Sequence, residues 1–482
     1  MVLRILMLRL ALVLAASVLA GGQSSPSRAT VDGLLAAHNY PGALTQVDTL
    51  LAQQQTASLW LARGIALRGL KRTGESLAAF EHALSMEPRN LAALRGAAEA
   101  AFALHRDKAR PLVQQLLQAD PANPVGHAMA GSLAYERGDC AEVLTHFARA
   151  EPVVSSNRVG VLQFSDCLIT AGKPARAVSL LERLETKEDD ALVSYDLAYA
   201  LFAAERFDES ATTLEKLRDR QPDNAGLWNL LAADYGKLQR TEDALNAYRT
   251  ACEKAPDEPG FYVDLARFAM EHSSTDAAIQ VLNAGIHRIP RSAVLLTVRG
   301  SIYSFLGEDK KAEADFVLAE HVSPNSGMGT VGRSLHLRDQ GRSLDATDLL
   351  RQELKKSPKD VVVKYFLAES LITNGSPPSM KEAQGLLQDV LKTRPDDSNV
   401  LLGLAKTFLA ARDAKAALPL LLRAKHLDPE SPTILSRLLQ TYRDLGMQQQ
   451  AMAAAGDLRH LVDENRSADL RRNRFHISAT PQ

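Results

Sequence analysis

The chain has 482 residues, enough for two or three ordinary globular domains or for one unit repeated throughout. Lys+Arg 56 against Asp+Glu 57 leaves a net charge of -1, and this balance argues against a polyanion such as nucleic acid as the partner. Hydrophobic residues make up 46% and aromatics only 5%, and the apolar letters are mostly Leu and Ala, so the composition points to an all-helical protein.

The first 20 residues read separately from the rest. Arg4 and Arg9 precede the apolar stretch 10–19, and no acid appears before Asp32, which is the pattern of a signal peptide. The stretch is short of the roughly 20 residues a spanning helix needs. Val18-Leu19-Ala20 supplies small side chains for cleavage after Ala20. The rival readings are an uncleaved N-terminal anchor, with Ile5 to Leu8 joining the apolar run, and a mitochondrial presequence. No Cys follows the run to carry a lipid. The chain is therefore expected to be exported, to a periplasm or cell envelope, with no membrane span beyond such an anchor. Residues 21–56 read as a linker and a degenerate helical repeat around 34–51.

From residue 57 to 463 the sequence repeats. Pro222, Pro256, Pro290, Pro324 and Pro358 follow one another every 34 residues. Between Ala225 and Pro256, Trp228, Leu231, Ala232 and Tyr235 stand at helical spacing, followed by Ala244, Tyr248 and Ala251. The same frame holds Trp60, Gly64, Phe80, Ala83 and Pro88 early in the chain. It holds Gly300, Tyr303, Ala312, Phe316, Ala319 and Pro324 in the middle, and Leu401, Leu404, Ala405, Phe408, Ala417, Leu421, Ala424 and Pro429 late. These letters resemble the tetratricopeptide repeat, W-x2-L-G-x2-Y then A-x3-F then A and P, of an exported bacterial type. The resemblance implies an all-α, right-handed α-solenoid of about twelve to thirteen stacked helix pairs. Small residues such as Gly64, Ala232 and Gly300 then fall where helices approach closely, and the prolines end the second helices.

Two places break the frame. Asn374-Gly375-Ser376-Pro377-Pro378 is a longer turn sequence, expected to bulge from the bend between two helices. Around Glu151 to Asn157 the proline interval is lost, and a kink is expected there rather than a domain boundary. After Val462 the repeat stops, and residues 464–482, with Arg466, Arg471, Arg472 and Arg474, read as a polar, basic tail.

The chain offers little chemistry. Cys140, Cys167 and Cys252 are too few for a framework or metal cluster and read as small buried residues, with a Cys140–Cys167 bridge between neighbouring repeats as the alternative. The 12 histidines form no HExxH, and no CxxC or phosphate loop is present. His105-Arg106-Asp107 copies three letters of a kinase loop without its companions. The expectation is no enzyme, no cofactor, no metal and no catalytic residue.

The resemblance also implies a concave face, lined by the first helix of every repeat, on which a protein or peptide lies. In this frame the N-terminal half presents Phe102, Tyr135, Tyr195, Tyr199 and Phe202 as candidate anchors, because rigid rings bury area at low entropic cost. The alternative is that these rings are core residues displaced by a frame error of one or two positions. Further along, the same face presents Arg267, Arg338, Lys406 and Arg443 among polar neighbours. Chaperone-binding members carry a Lys and Asn pair that clamps a terminal carboxylate. Here Asn229 is followed one turn later by Ala233, and Lys406 by Ala410, so that ligand is disfavoured. The expected function is a protein–protein interaction scaffold in envelope assembly or secretion. The alternative is a regulatory subunit of an envelope enzyme such as a glycosyltransferase or polysaccharide synthase.

Overall fold

The computed structural model describes residues 27–104, 106–186, 190–324 and 326–472. The expected signal segment 1–20, the side chains of the His105-Arg106-Asp107 triplet and the tail beyond residue 472 lie outside the described residues. Among those described there are 27 α-helices and no strand, joined as successive antiparallel pairs. The fold is all-α, an α-solenoid of stacked helix pairs. It divides into two compact units, one reaching residue 170 and including 179–187, the other comprising 171–178 and the residues from 188 onward.

Local chemistry explains where each helix begins and ends. First helices open on a side chain that satisfies a free backbone N–H: Asn123 accepts from Gly126, Asn224 from Leu227 and Ser292 from Leu295. Second helices stop as the prolines require. Thr241–Lys254 ends at Ala255, whose φ of -134 and ψ of 72 are the extended geometry that a residue before proline adopts, and Pro256 follows in the turn. Gln221, Ile289, Ser323 and Ser357 do the same.

Between the two helices of a pair, a second device recurs. One residue takes a left-handed conformation, and at Gln239, Ser273, Gly307, Gly341 and Gly375 it falls every 34 residues with φ of 61, 54, 72, 76 and 71. His38, Lys71, Gly138, Gly172, Glu205, Arg412 and Gly446 occupy the same place in further described pairs. Glycine adopts this conformation freely, whereas the other side chains hold it at a cost because the turn demands it.

At two joins between pairs one ring is inserted between two glycines. In the N-terminal unit Phe80 is fully buried, and a Cβ placed on Gly64 or on Gly96 would come within 2.5 Å of its ring. The two first helices therefore clamp the ring from both sides only while they carry hydrogen there. In the C-terminal unit Phe316 is held likewise by Gly300 and Gly332. A partly buried ion pair lies beside it: Arg299 donates from Nε and Nη2 to the two oxygens of the buried Asp315 at 2.8 and 2.6 Å, and from Nη1 to Asn283.

At the two breaks the structure is specific. Glu151–Val154 forms an extra short helix between Cys140–Arg149 and Arg158–Thr170, which accounts for the lost interval. At the other break the expected bulge is corrected. Gly375 ends Val361–Asn374, and Ser376 caps the next helix, Pro377–Thr393, by accepting from Ser379 N–H. The surplus residues lengthen that helix to 17, because two prolines cost nothing in a first turn whose N–H groups are free anyway. The last helix, Gln448–Arg472, carries regular backbone into the start of the basic tail.

Cys140 and Cys167 form a disulfide with a Cα–Cα distance of 5.1 Å, so the bridge, rather than the reading of three small buried thiols, is what the fold contains. It ties the second helix of one pair to the first helix of the next, across the irregular stretch. Cys252 alone is free, its thiol pushed up to about 12 by burial first and then by Asp264 and Glu253.

Candidate partner-binding face

First helices lie against first helices. In the C-terminal unit Ala191–Ala203, Ala225–Lys237, Pro259–Glu271, Ala293–Phe305 and Met328–Asp339 each touch the next in that order, and no comparable contact joins consecutive second helices among those described. The first helices of this unit therefore sit on its crowded, inner side, and polar bonds tie neighbours together. Asn229 donates to Asp264 at 2.9 Å, and Lys406 reaches Glu369 at 3.3 Å. In the N-terminal unit Arg68 donates to Glu99 at 2.6 Å, Ser132 to Gln163 at 2.9 Å and Tyr135 to Asp166 at 2.8 Å, again between neighbouring first helices.

The nine candidate site residues all lie on first helices, in different settings. Phe102 and Tyr135 belong to the N-terminal unit, on Leu91–Leu104 and Pro124–Tyr135; Phe102 is half-buried against that unit's core, and Tyr135 is half-buried with its hydroxyl engaged. Tyr195, Tyr199 and Phe202 share Ala191–Ala203 in the C-terminal unit. Tyr195 and Phe202 rest against the core, Phe202 meeting Phe207 edge-on at 5.4 Å, whereas Tyr199 is 46% exposed. Burial, then Asp196 and Tyr199, hold the Tyr195 hydroxyl above its ordinary value. The basic candidates stand on four separate helices. Arg267 is exposed and paired with Asp264 at 3.2 Å and Glu271 at 2.9 Å; Lys406 is half-buried on Glu369; Arg338 is half-buried and Arg443 exposed.

Only Ala191–Ala203 collects several anchors on one face. Leu192, absent from the sequence-derived set, is 49% exposed and one turn before Tyr195, so that Leu192, Tyr195, Tyr199 and Phe202 make an apolar stripe at helical spacing. The adjoining first helix, Ala225–Lys237, carries Gly226, Asn229, Ala233 and Gly236 at the same four places, and a Cβ on Gly226 would lie 3.4 Å from the Tyr195 hydroxyl. Rings on one helix thus stand next to smaller side chains on the other.

A second pattern that sequence reading missed is a polar row facing the preceding pair. Asp234, His336, Ser370, Thr407 and Thr441 are all buried and occupy equivalent places in their first helices; the last four follow one another, whereas Phe268 and Ile302 fill the place between Asp234 and His336. His336 Nδ1 lies 2.7 Å from Ser304 Oγ while Gln340 donates to its Nε2 at 3.0 Å, and Ser370 bonds Thr347 at 2.7 Å. In the N-terminal unit His127 Nε2 lies 3.0 Å from the Pro121 carbonyl and its Nδ1 lies 2.8 Å from His146 Nδ1. Burial first, and then His127, lower the proton affinity of His146. Among the described residues no group of three or more His, Cys, Asp or Glu is placed to hold a metal ion, and no helix is long and apolar enough to cross a membrane.

These features define a helical-repeat protein whose crowded inner helices carry its distinctive side chains. Tetratricopeptide-repeat profiles match residues 57–90, 168–233, 229–293 and 379–440, and the chain belongs to the tetratricopeptide-repeat proteins. No curated protein matches it in sequence. Among solved structures, yeast Tom70 is similar at 14% identity and a TM-score of 0.45, covering 86% of this chain and 96% of that one. A tetratricopeptide repeat protein from Parabacteroides merdae is similar at 17% identity and a TM-score of 0.39, covering 53% of this chain and 99% of its own. The APC/C hetero-tetramer Cut9-Hcn1 is similar at 15% identity and 0.36, with 85% and 82% covered.

Proposed function

We propose that this protein is an exported scaffold that holds a partner protein on its first-helix face, with Ala191–Ala203 as the principal anchor, in the assembly or secretion machinery of a cell envelope. The observation that carries the reading is the stripe of Leu192, Tyr195, Tyr199 and Phe202 beside the small residues of Ala225–Lys237. Tyr199 at 46% and Leu192 at 49% exposure leave apolar area uncovered in a chain with few aromatics, and large rings at a groove are the usual energetic centres of protein recognition. Two features support export: the basic-then-apolar start of the sequence, and the Cys140–Cys167 disulfide, a bond that persists in oxidising compartments.

The test is site-specific crosslinking in the native organism. A photoreactive side chain at position 192 or 199 should capture one discrete partner, and the same group at the exposed Leu318 on a second helix should not. Leu192→Ser with Tyr199→Ala should abolish capture from a neighbouring reporter position while leaving helical content unchanged. Capture that is equal at 199 and 318, or that survives the double substitution, would remove this face from the function.

A further inference from the structure

The most informative buried group in the molecule is Asp234, on Ala225–Lys237, the first helix next to the aromatic stripe. It is fully buried, its Oδ1 has no hydrogen-bond partner, and its Oδ2 lies 2.7 Å from Ser210 Oγ. Ser210 Oγ also lies 2.9 Å from the carbonyl oxygen of Ala198, on the helix that carries the aromatic stripe. A hydroxyl has one proton to give, and a carbonyl can only accept. If the Ser210 proton goes to Ala198, the short contact to Asp234 needs a proton from the carboxyl itself.

The chain contains its own control for where the serine proton goes. In the first regular pair Ser76 donates to the Gly64 carbonyl at 2.8 Å, with the same 12-residue offset that separates Ser210 from Ala198. There the place corresponding to Asp234 is held by Ala100, which is buried and has no polar group to offer. The serine-to-carbonyl bond thus forms without an acid beside it, and Asp234 is an addition to it.

We propose that Asp234 is held protonated within the stack, donating to Ser210, and that its ionisation loosens the join between Phe207–Arg220 and Ala225–Lys237, making the helix beside the aromatic stripe sensitive to pH. The surroundings supply nothing to neutralise a carboxylate. From Phe207–Arg220 the charge acting on it is Asp208, of the same sign. The buried cluster that Ala225–Lys237 joins, drawn also from Ala191–Ala203, Thr241–Lys254 and Pro259–Glu271, includes Ala198, Leu214, Leu231, Tyr235, Tyr248, Leu265 and Phe268. Its two phenols, Tyr235 and Tyr248, are each pushed up to about 12 by burial and stay neutral. Glu215 and Arg240 meet the outer end of Tyr235, and Arg267 is engaged with Asp264 and Glu271. Burial pushes the Asp234 carboxyl from 3.8 up to about 7, outweighing the lowering effect of the Ser210 contact, with Asp208 adding to the rise.

The sign follows from linkage. Between about pH 4 and 7 the folded form binds this proton more tightly than the unfolded form, so stability falls as pH rises through that window and levels off above it. The experiment is amide hydrogen exchange on the full chain, following Ala191–Ala203 and Ala225–Lys237 from pH 4.5 to 8 in the wild type, D234N and D234A. Asn donates to Ser210 without a charge, and Ala copies Ala100, so both variants retain the fold. The opening constant of these helices should rise at least tenfold in the wild type relative to D234N between pH 4.5 and 7.5, corresponding to about one unit or more of differential proton affinity. D234A should share the flat profile of D234N. An infrared carboxylic-acid band at pH 5.5 should be present in the wild type and missing from D234N. Parallel exchange profiles in all three proteins, or no such band, would overturn the proposal, and neither result depends on what binds the aromatic stripe.

Discussion

Removal of the Cys140–Cys167 disulfide should weaken the N-terminal unit by an amount that loop length sets. The bridge closes a separation of 27 residues. In the chain-entropy account a loop of that size restricts the unfolded state by ~3.5 kcal/mol. The native structure gives the bond a local task as well, because the enclosed stretch contains the four-residue helix Glu151–Val154, whose neighbours keep no regular repeat interval. For a unit of under 200 residues that loss lowers the melting midpoint by ~10 °C. Far-ultraviolet circular dichroism melts of the full chain, with and without reductant, read it directly, and the Cys140→Ser, Cys167→Ser double variant should match the reduced wild type and ignore reductant. If reductant leaves the transitions of the wild type where they were, or if the double variant melts with the oxidised wild type, the bridge does not constrain this segment and the reasoning fails.

Gly300→Leu should destabilise the C-terminal unit by ~1–3 kcal/mol in urea titrations, since a Cβ there already lies 2.8 Å from the Phe316 ring; an unchanged midpoint would show that the ring has room to move. Gln239→Gly should stabilise by ~0.5–1 kcal/mol, because Gln239 holds φ at 61 where glycine is unstrained, and a lowered midpoint would refute the role given to that turn. Asp315→Ala removes the buried partner of the partly buried Arg299 guanidinium and should cost ~1–3 kcal/mol, whereas removing an exposed pair such as Arg342–Asp345 should cost under ~1 kcal/mol. Equal losses in the two cases would contradict the burial argument.

The repeat was legible because its strongest letters act locally: Pro256 fixes the backbone of the residue before it, and Gly64 and Gly300 are required by rings that recur at a set distance. The left-handed turn was hidden because Lys71, Glu205, Gln239 and Arg412 hold it, and none of these is a turn-former by chemistry. The surplus residues at Pro377 misled for the opposite reason. Proline reads as a break, yet after a capping serine it begins a helix as readily as it ends one. The disulfide stood only as the alternative reading of its cysteines, and the Asp234 contact escaped, because each joins one pair to the next across a core, and a one-dimensional pattern shows which places face a neighbour only once the frame is carried through every pair. For the candidate face, the frame located the helices, while exposure distinguished Tyr199 from Tyr195 and Phe202 and brought in Leu192.

The disulfide has a mechanical consequence. A stack in which each helix pair leans on its neighbours yields to tension pair by pair, each 34-residue repeat paying out ~115 Å of chain as it unravels. Between Cys140 and Cys167 the covalent bond carries the load instead, so ~90 Å of backbone is withheld from extension until the bond is reduced. Under load the protein would behave as an elastic tether containing one inextensible link.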